Sequence, residues 1–271
     1  MNNIFDINRF FKLVRRQWLS NSKEYLLIVG VLLAILLYFY GDFAYEVFYN
    51  PNNLDLETIY RGFRGTRVSL FMILGVLYLT YIASSSYKRY GKSSSMIPEI
   101  LLPASQFEKF LNSWLFSFLF AFALYITLFF VLDVSFMSYI RGHFTSTHTY
   151  YWGDQKIVED NISYFSALIT SENMGLKYWY TIAIVLNAFF MLGGIFFSKL
   201  QFIKSIVSFA LYFAVFVLLF YLVQRFLFDG QLFLEGNKSV ENPIVISSIL
   251  GWSLSIFLWI ITFVRLKEKE A

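Results

Sequence analysis

The sequence predicts an all-α polytopic membrane protein with six transmembrane helices and an N-terminal interfacial amphipathic helix. Hydrophobic residues make up 58% and aromatic residues 21% of the 271 positions, more than a soluble domain carries. Six long stretches also contain no Asp, Glu, Lys, Arg or His. These stretches are Tyr25–Tyr40, Val68–Tyr87, Phe110–Leu132, Tyr178–Ser198, Ser205–Gln224 and Ile244–Val264.

Each stretch is about as long as the ~20 residues that a helix needs to cross a hydrocarbon core of ~30 Å, although the first is shorter and needs flanking residues. Apolar residues occur on every side of the stretches, whereas a membrane-spanning strand would alternate apolar and polar residues. We therefore predict a six-span membrane domain at residues 24–271, with an interfacial segment at residues 1–23 before it.

The interfacial segment has the three-to-four spacing of an amphipathic helix. One face carries Ile7, Phe11, Val14 and Trp18, and the other carries Arg9, Lys12 and Arg16. Each basic residue near anionic headgroups contributes on the order of 1 kcal/mol, so the segment is expected to bind membrane lipid.

The distribution of basic residues predicts the orientation, because Lys and Arg near span ends stay in the cytoplasm. Fourteen of the 22 basic residues lie on the side that contains the N-terminus. With six spans, both termini are expected in the cytoplasm. The net charge of +4 is then a topology signal and does not indicate nucleic-acid binding. The fourteen are Arg9, Lys12, Arg15, Arg16, Lys23, Lys88, Arg89, Lys92, Lys109, Lys199, Lys204, Arg265, Lys267 and Lys269.

Enzymes and ion-coupled carriers are disfavoured, because both need reactive or titrating side chains at membrane depth and the six stretches lack them. The two histidines, His143 and His148, fall in the predicted outer loop 133–177, and with Asp154 they do not have metal-ligand spacing. The chain has no cysteine. We predict no metal site and no cofactor on this chain, and any transport work is expected to be supplied by another subunit.

The polar segment between the second and third stretches contains a GKS triplet at Gly91-Lys92-Ser93. A phosphate-binding loop has the pattern G-x-x-x-x-G-K-[S/T] and follows a strand. Here the first glycine of the pattern is replaced by Ser86, and the preceding residues belong to a predicted membrane helix. The sequence therefore predicts a basic loop that binds no nucleotide.

The same segment contains a helix start and an apolar run. Ser105 and Glu108 form an S-x-x-E capping box that predicts a helix leading into the third span. The run Met96–Leu102 is apolar and too short to enter the membrane. It is expected either to pack against the chain's own inner surface or to dock into a groove of a soluble partner.

At these residues the sequence resembles a known family. The pattern L-L-P-A-S-x-x-E-K-F and the basic RF-x-K-type N-terminal helix are similar to permease subunits of ATP-binding-cassette transporters of the type-2 exporter class, especially the forms of Bacteroidetes-like bacteria. The topological resemblance covers the full length, while the motif covers about ten residues. The motif residues are Leu101, Leu102, Pro103, Ala104, Ser105, Glu108, Lys109 and Phe110.

The resemblance implies a second permease, of the same or a homologous chain, and cytoplasmic ATPase subunits that carry the ATP and Mg²⁺. It also implies that residues 88–109 form the coupling region, and that spans one to three move when the ATPases close. Family members often have re-entrant helices between spans five and six, whereas here residues 225–243 are short and charged. The predicted partner contacts are Ile97, Glu99, Ile100, Leu101, Leu102, Ser105 and Glu108. Candidates for a substrate path or dimer interface are Tyr38, Thr80, Tyr212 and Phe216.

The function expected from this resemblance is that of an exporter permease for an amphiphilic cargo such as a lipid, glycolipid or peptide. One alternative is a structural or accessory membrane subunit that has no translocation path of its own. A weaker alternative is an intramembrane enzyme that uses His143 and His148.

The predicted orientation is testable because the chain has no native cysteine. In intact cells, an impermeant thiol reagent should label Ser146→Cys and should not label Lys92→Cys, since the basic residues place position 92 inside. Labelling after permeabilisation controls for the accessibility of each cysteine. The reverse pattern in intact cells would refute the orientation.

Overall fold

The fold is described by a computed structural model at residues 5–49, 56–91, 93–143, 147–152, 155–160, 164–165, 174–227 and 243–270. Six helical segments are long and apolar enough to cross a membrane, which indicates a multi-pass membrane protein. The helices are α1 (Ile7–Tyr49), α2 (Leu56–Ser85), α3 (Ser93–Ile100), α4 (Gln106–Trp114), α5 (Ala121–His143), α6 (Met174–Phe196), α7 (Gln201–Leu227) and α8 (Pro243–Glu270).

The helices continue beyond most ends of the charge-free stretches. The 43 residues of α1 rise about 65 Å, roughly twice the thickness of a hydrocarbon core. The separate interfacial helix expected at residues 1–23 is not shown, because Ile7 onward belongs to the same helix as the first span. Whether this part binds lipid stays a prediction.

The third span is one helical segment, Gln106–His143, with a π-helical turn at Leu115–Phe120 between α4 and α5. The turn shifts the backbone hydrogen bonds, and the Asn187 amide on α6 donates to the Ser117 carbonyl at 2.9 Å and to the Leu79 carbonyl at 3.2 Å. A buried amide thus satisfies carbonyl groups on two other helices.

The predicted outer loop contains a feature that the all-α prediction lacks. Strands β1 (Thr147–Trp152) and β2 (Gln155–Asp160) form an antiparallel hairpin in which Thr147 pairs with Asp160. The run of β-branched and aromatic residues in this segment favours strand pairing. The Arg225–Pro243 segment lies mostly outside the described residues, at positions 228–242.

The chain divides into two compact units, of which the first comprises Met1–Phe10, Leu79–Phe118 and Tyr180–Ala271. Its core is apolar and its backbones approach closely at small residues. A Cβ on Gly194 would lie 2.5 Å from the Ser84 carbonyl oxygen, so this contact between α6 and α2 requires glycine. The buried core residues are Ala83, Tyr87, Tyr90, Ile184, Ala188, Phe190, Met191, Ile195, Trp259 and Leu266.

The second unit comprises Phe11–Tyr78 and Leu119–Trp179, and it contains a buried ion pair. The Arg67 guanidinium donates to the Asp133 carboxylate at 3.0 Å, and both side chains are almost fully buried. The Tyr40 hydroxyl donates to the same carboxylate oxygen at 2.8 Å, and the Phe165 N–H donates to the other oxygen at 2.8 Å. One carboxylate therefore joins α1, α2, α5 and the segment at Phe165.

Arg67 and Asp133 correct one expectation from the sequence. Both were assigned to outer loops, because the stretches were drawn to exclude every charged residue. In the structure they lie inside α2 and α5, within the helical segments apolar enough to cross a membrane. Those helices therefore do carry buried charge, and it is compensated inside the unit.

We predict that Asp133→Asn lowers the free energy of unfolding by about 3–5 kcal/mol, because it leaves the buried Arg67 charge without its counter-charge. Thermal unfolding of the purified protein in detergent measures this. Asp42→Asn is the control, since Asp42 is an exposed carboxylate on α1. Equal stability of the two variants would contradict a stabilising role for the pair.

Candidate functional site

The candidate site is the segment between α2 and the third span. A short 3₁₀ helix at Lys88–Gly91 is followed by α3, whose last turn is closed by a bond from the Leu101 N–H to the Ile97 carbonyl at 3.1 Å. The chain then turns at Pro103, where the Ala104 N–H donates to the Leu102 carbonyl at 2.8 Å. The segment therefore presents a short helix and a tight turn between two long helices.

The predicted partner contacts differ widely in exposure. Leu101 is 75% and Ile97 58% exposed, although both are large apolar side chains. Glu99, Ile100 and Leu102 are half-buried. The apolar run therefore neither packs wholly against its own chain nor lies wholly in solvent.

Ser105 and Glu108 do not reach the surface, which corrects their assignment as direct partner contacts. The capping box predicted from their spacing is confirmed: the Ser105 hydroxyl accepts from the Glu108 N–H, and the Glu108 carboxylate accepts from the Ser105 N–H at 2.9 Å. Both residues are buried. They fix the start of α4 and are not available to a partner.

The Glu108 carboxylate also holds the N-terminal end of α1. Arg9 donates to its two oxygens at 2.8 and 2.6 Å, and the Asp6 N–H donates at 2.8 Å. The rings of Phe5 and Phe107 lie next to this contact, with centroids 6.3 Å apart. One buried carboxylate thus joins the start of the third span to the beginning of the first helix.

A second charged cluster lies at the end of α3. The Lys109 ammonium donates to the Glu99 carbonyl at 2.8 Å and forms an ion pair with Glu270 at 3.0 Å. The Tyr90 hydroxyl donates to the same Glu270 oxygen at 2.7 Å. Burial raises the pKa of the Tyr90 hydroxyl, and the adjacent Glu270 carboxylate raises it further, so the hydroxyl remains a donor. The Glu99 carboxylate is itself paired with Arg89 at 2.7 Å.

The candidates for a substrate path fall into two groups. Tyr38 on α1 and Tyr212 and Phe216 on α7 are exposed, whereas Thr80 is buried. Thr80 therefore lines no open surface in this structure, and its assignment stays a prediction. Most large apolar side chains of α7 are exposed, so this helix is available to lipid or to another chain.

The prediction that the GKS triplet binds no nucleotide rests partly on the secondary structure that precedes it. The residues before it form the helix α2, which ends at Ser85, and the 3₁₀ helix Lys88–Gly91, and not a strand. Lys92 lies outside the described residues, and so does Asp154. The His143 ring contacts the Tyr139 carbonyl at 2.9 Å, and the described part of the chain contains no group of three acidic or histidine side chains able to hold a metal ion.

Two residues of this site were not found from the sequence. Lys109 was identified only as a motif residue and as a topology charge, and Glu270 was not singled out at all. Their pairing joins positions 161 apart, which no local spacing reveals. No protein family, curated protein or solved structure matches the chain.

We predict that Glu108→Gln lowers the free energy of unfolding by about 1.5–3 kcal/mol, because the charge-assisted bonds from Arg9 weaken. Ser105→Ala removes only the capping hydroxyl and should cost about 1 kcal/mol. Unfolding in detergent compares these variants with Glu268→Gln, in which the altered carboxylate is exposed. A Glu108→Gln protein as stable as this control would contradict the assignment.

Proposed function

We propose that this chain is the permease subunit of an ATP-binding-cassette exporter. The observation that carries the proposal is the exposed apolar pair Ile97 and Leu101, presented by a short helix between two membrane helices. We call these two side chains the docking surface. The resemblance of the L-L-P-A-S-x-x-E-K-F motif supports the same assignment.

The docking surface is unlike the other exposed apolar surface of the chain. Lys88, which is exposed, and Arg89, which is partly exposed, belong to the same segment, and such charges favour water and headgroups over hydrocarbon. Lipid tails are therefore not expected to cover Leu101. Burial in a protein groove would contribute roughly 1.5–3 kcal/mol for each of the two side chains before ordering costs.

The partner proposed for this surface is a cytoplasmic ATPase subunit, which carries the ATP and Mg²⁺. ATP-driven closure of two such subunits would pull on α3 and move the helices joined to it. The permease would pair with a second copy or homologue, with exposed α7 residues such as Tyr212 and Phe216 available for that contact. The cargo proposed is amphiphilic, and the membrane is the bacterial cytoplasmic membrane with both termini inside.

We predict that a photo-reactive benzoylphenylalanine at position 101 cross-links to a polypeptide that azido-ATP also labels and whose peptides contain the G-x-x-x-x-G-K-[S/T] motif. The same amino acid at position 200 is the control. Leu200 is 67% exposed and lies in the loop between α6 and α7. Equal cross-linking at both positions, or capture of a polypeptide without ATP-binding properties, would favour the accessory-subunit alternative.

Once that ATPase has been identified, Leu101→Asp should weaken its binding to the permease at least about tenfold, because a carboxylate would have to lose its hydration in the groove. Leu200→Asp should leave binding unchanged. The amount of ATPase recovered is normalised to folded permease, and a melting temperature is measured for each variant. A lower melting temperature with normal recovery would instead mean that Leu101 packs against its own chain.

A further inference from the structure

Lys109 is a buried lysine whose contacts converge on the end of α3. Its ammonium lies 2.8 Å from the Glu99 carbonyl and 3.5 Å from the Ile100 carbonyl. These are the last two carbonyl groups of α3, where the helix leaves acceptors without an intrahelical donor and carries partial negative charge. Lys109 thus acts as a cation that caps the C-terminus of a neighbouring helix.

The same ammonium is fixed from the opposite side by α8. Glu270 pairs with it at 3.0 Å, both side chains are about 95% buried, and Tyr90 holds the Glu270 carboxylate through its hydroxyl. The short helix α3 is therefore connected to the last turn of α8 through one side chain. These contacts all lie within the first compact unit.

An isolated helix of eight residues is not stable in water, so α3 owes its position to contacts outside itself. Met96 packs against the apolar core, a contact that has no directional preference. Lys109 adds two directed bonds at the C-terminal end, and Arg89 adds a third through the Glu99 side chain. With the bonds from Lys109 and Arg89 in place, the Leu101 side chain remains exposed.

We propose that Lys109 is a positioning residue, which sets the orientation of α3 and transmits its movement to α8 through Glu270. The inference rests on the proposed function, in which α3 carries the docking surface. A force applied to the docking surface would then reach α8, the sixth span, through Lys109 and Glu270.

The orientation of α3 is measurable without any partner or cargo. Because the chain has no native cysteine, Leu101→Cys gives a single site for a nitroxide spin label. We expect the label to be several-fold more mobile, by its rotational correlation time, when Lys109→Met or Glu270→Gln is added. Lys109→Arg should restore the immobile spectrum, since arginine keeps the charge and the donors.

Two control variants match these changes on the surface of α8. Lys267→Met removes an exposed lysine and Glu268→Gln alters an exposed carboxylate, and neither should change the label's mobility. An unchanged spectrum in folded Lys109→Met protein would overturn the proposal. If Lys109→Met fails to fold, Glu270→Gln decides, and an unchanged spectrum there would overturn the connection to α8.

A second measurement uses the ATPase captured at position 101, with the unlabelled permease. Lys109→Met should weaken its binding about tenfold, and Lys109→Arg should restore most of it. Normal binding combined with a mobile α3 would overturn the functional importance of the orientation. If the wild-type permease binds no ATPase, the proposed function fails, while the spin-label result still decides whether Lys109 positions α3.

Discussion

The way in which the helices are held together depends on the cost of burying charge in an apolar chain. A charged side chain removed from water is tolerated only when opposite charge and hydrogen bonds replace its hydration. Asp133 meets this requirement by accepting from Arg67, Tyr40 and a backbone N–H. Glu108 meets it with Arg9 and two backbone N–H groups. Because each carboxylate takes donors from several segments, satisfying the charge also fixes those segments relative to one another.

The sequence is informative where structure follows from composition or local spacing. Six spans are readable because about 20 apolar residues have few alternatives to a membrane helix, and the capping box is readable because its partners, Ser105 and Glu108, are three residues apart. The helix ends were misjudged for the opposite reason. A rule that ends each span at the first charged residue places Arg67 and Asp133 in loops, and only their pairing across 66 residues shows that both belong inside.

The same limit explains the outcome at the candidate site. Composition identified Ile97 and Leu101 as apolar residues in a charged segment, and the structure leaves both exposed. The family resemblance also implied that Ser105 and Glu108 contact a partner, although the capping box predicted from their spacing already uses their polar groups. The role of Lys109 depends on its contact with Glu270. A contact between such distant positions follows from the fold and cannot be predicted from the local sequence around either residue.

Exposure of an apolar side chain has a different meaning in different parts of this chain. Phe216 on α7 is surrounded by other apolar residues, so hydrocarbon is its expected solvent and its exposure costs little. Leu101 is nearly as apolar, but its segment also contains Lys88, which is exposed, and Arg89, which is partly exposed, and such charges favour water. Water is a poor solvent for leucine, so at this position exposure has a free-energy cost that a protein partner would remove. If the buried ion pair of Lys109 keeps that leucine outward, as we propose, then the fold holds an apolar side chain in water, and a partner that covered it would recover the free energy that this exposure costs.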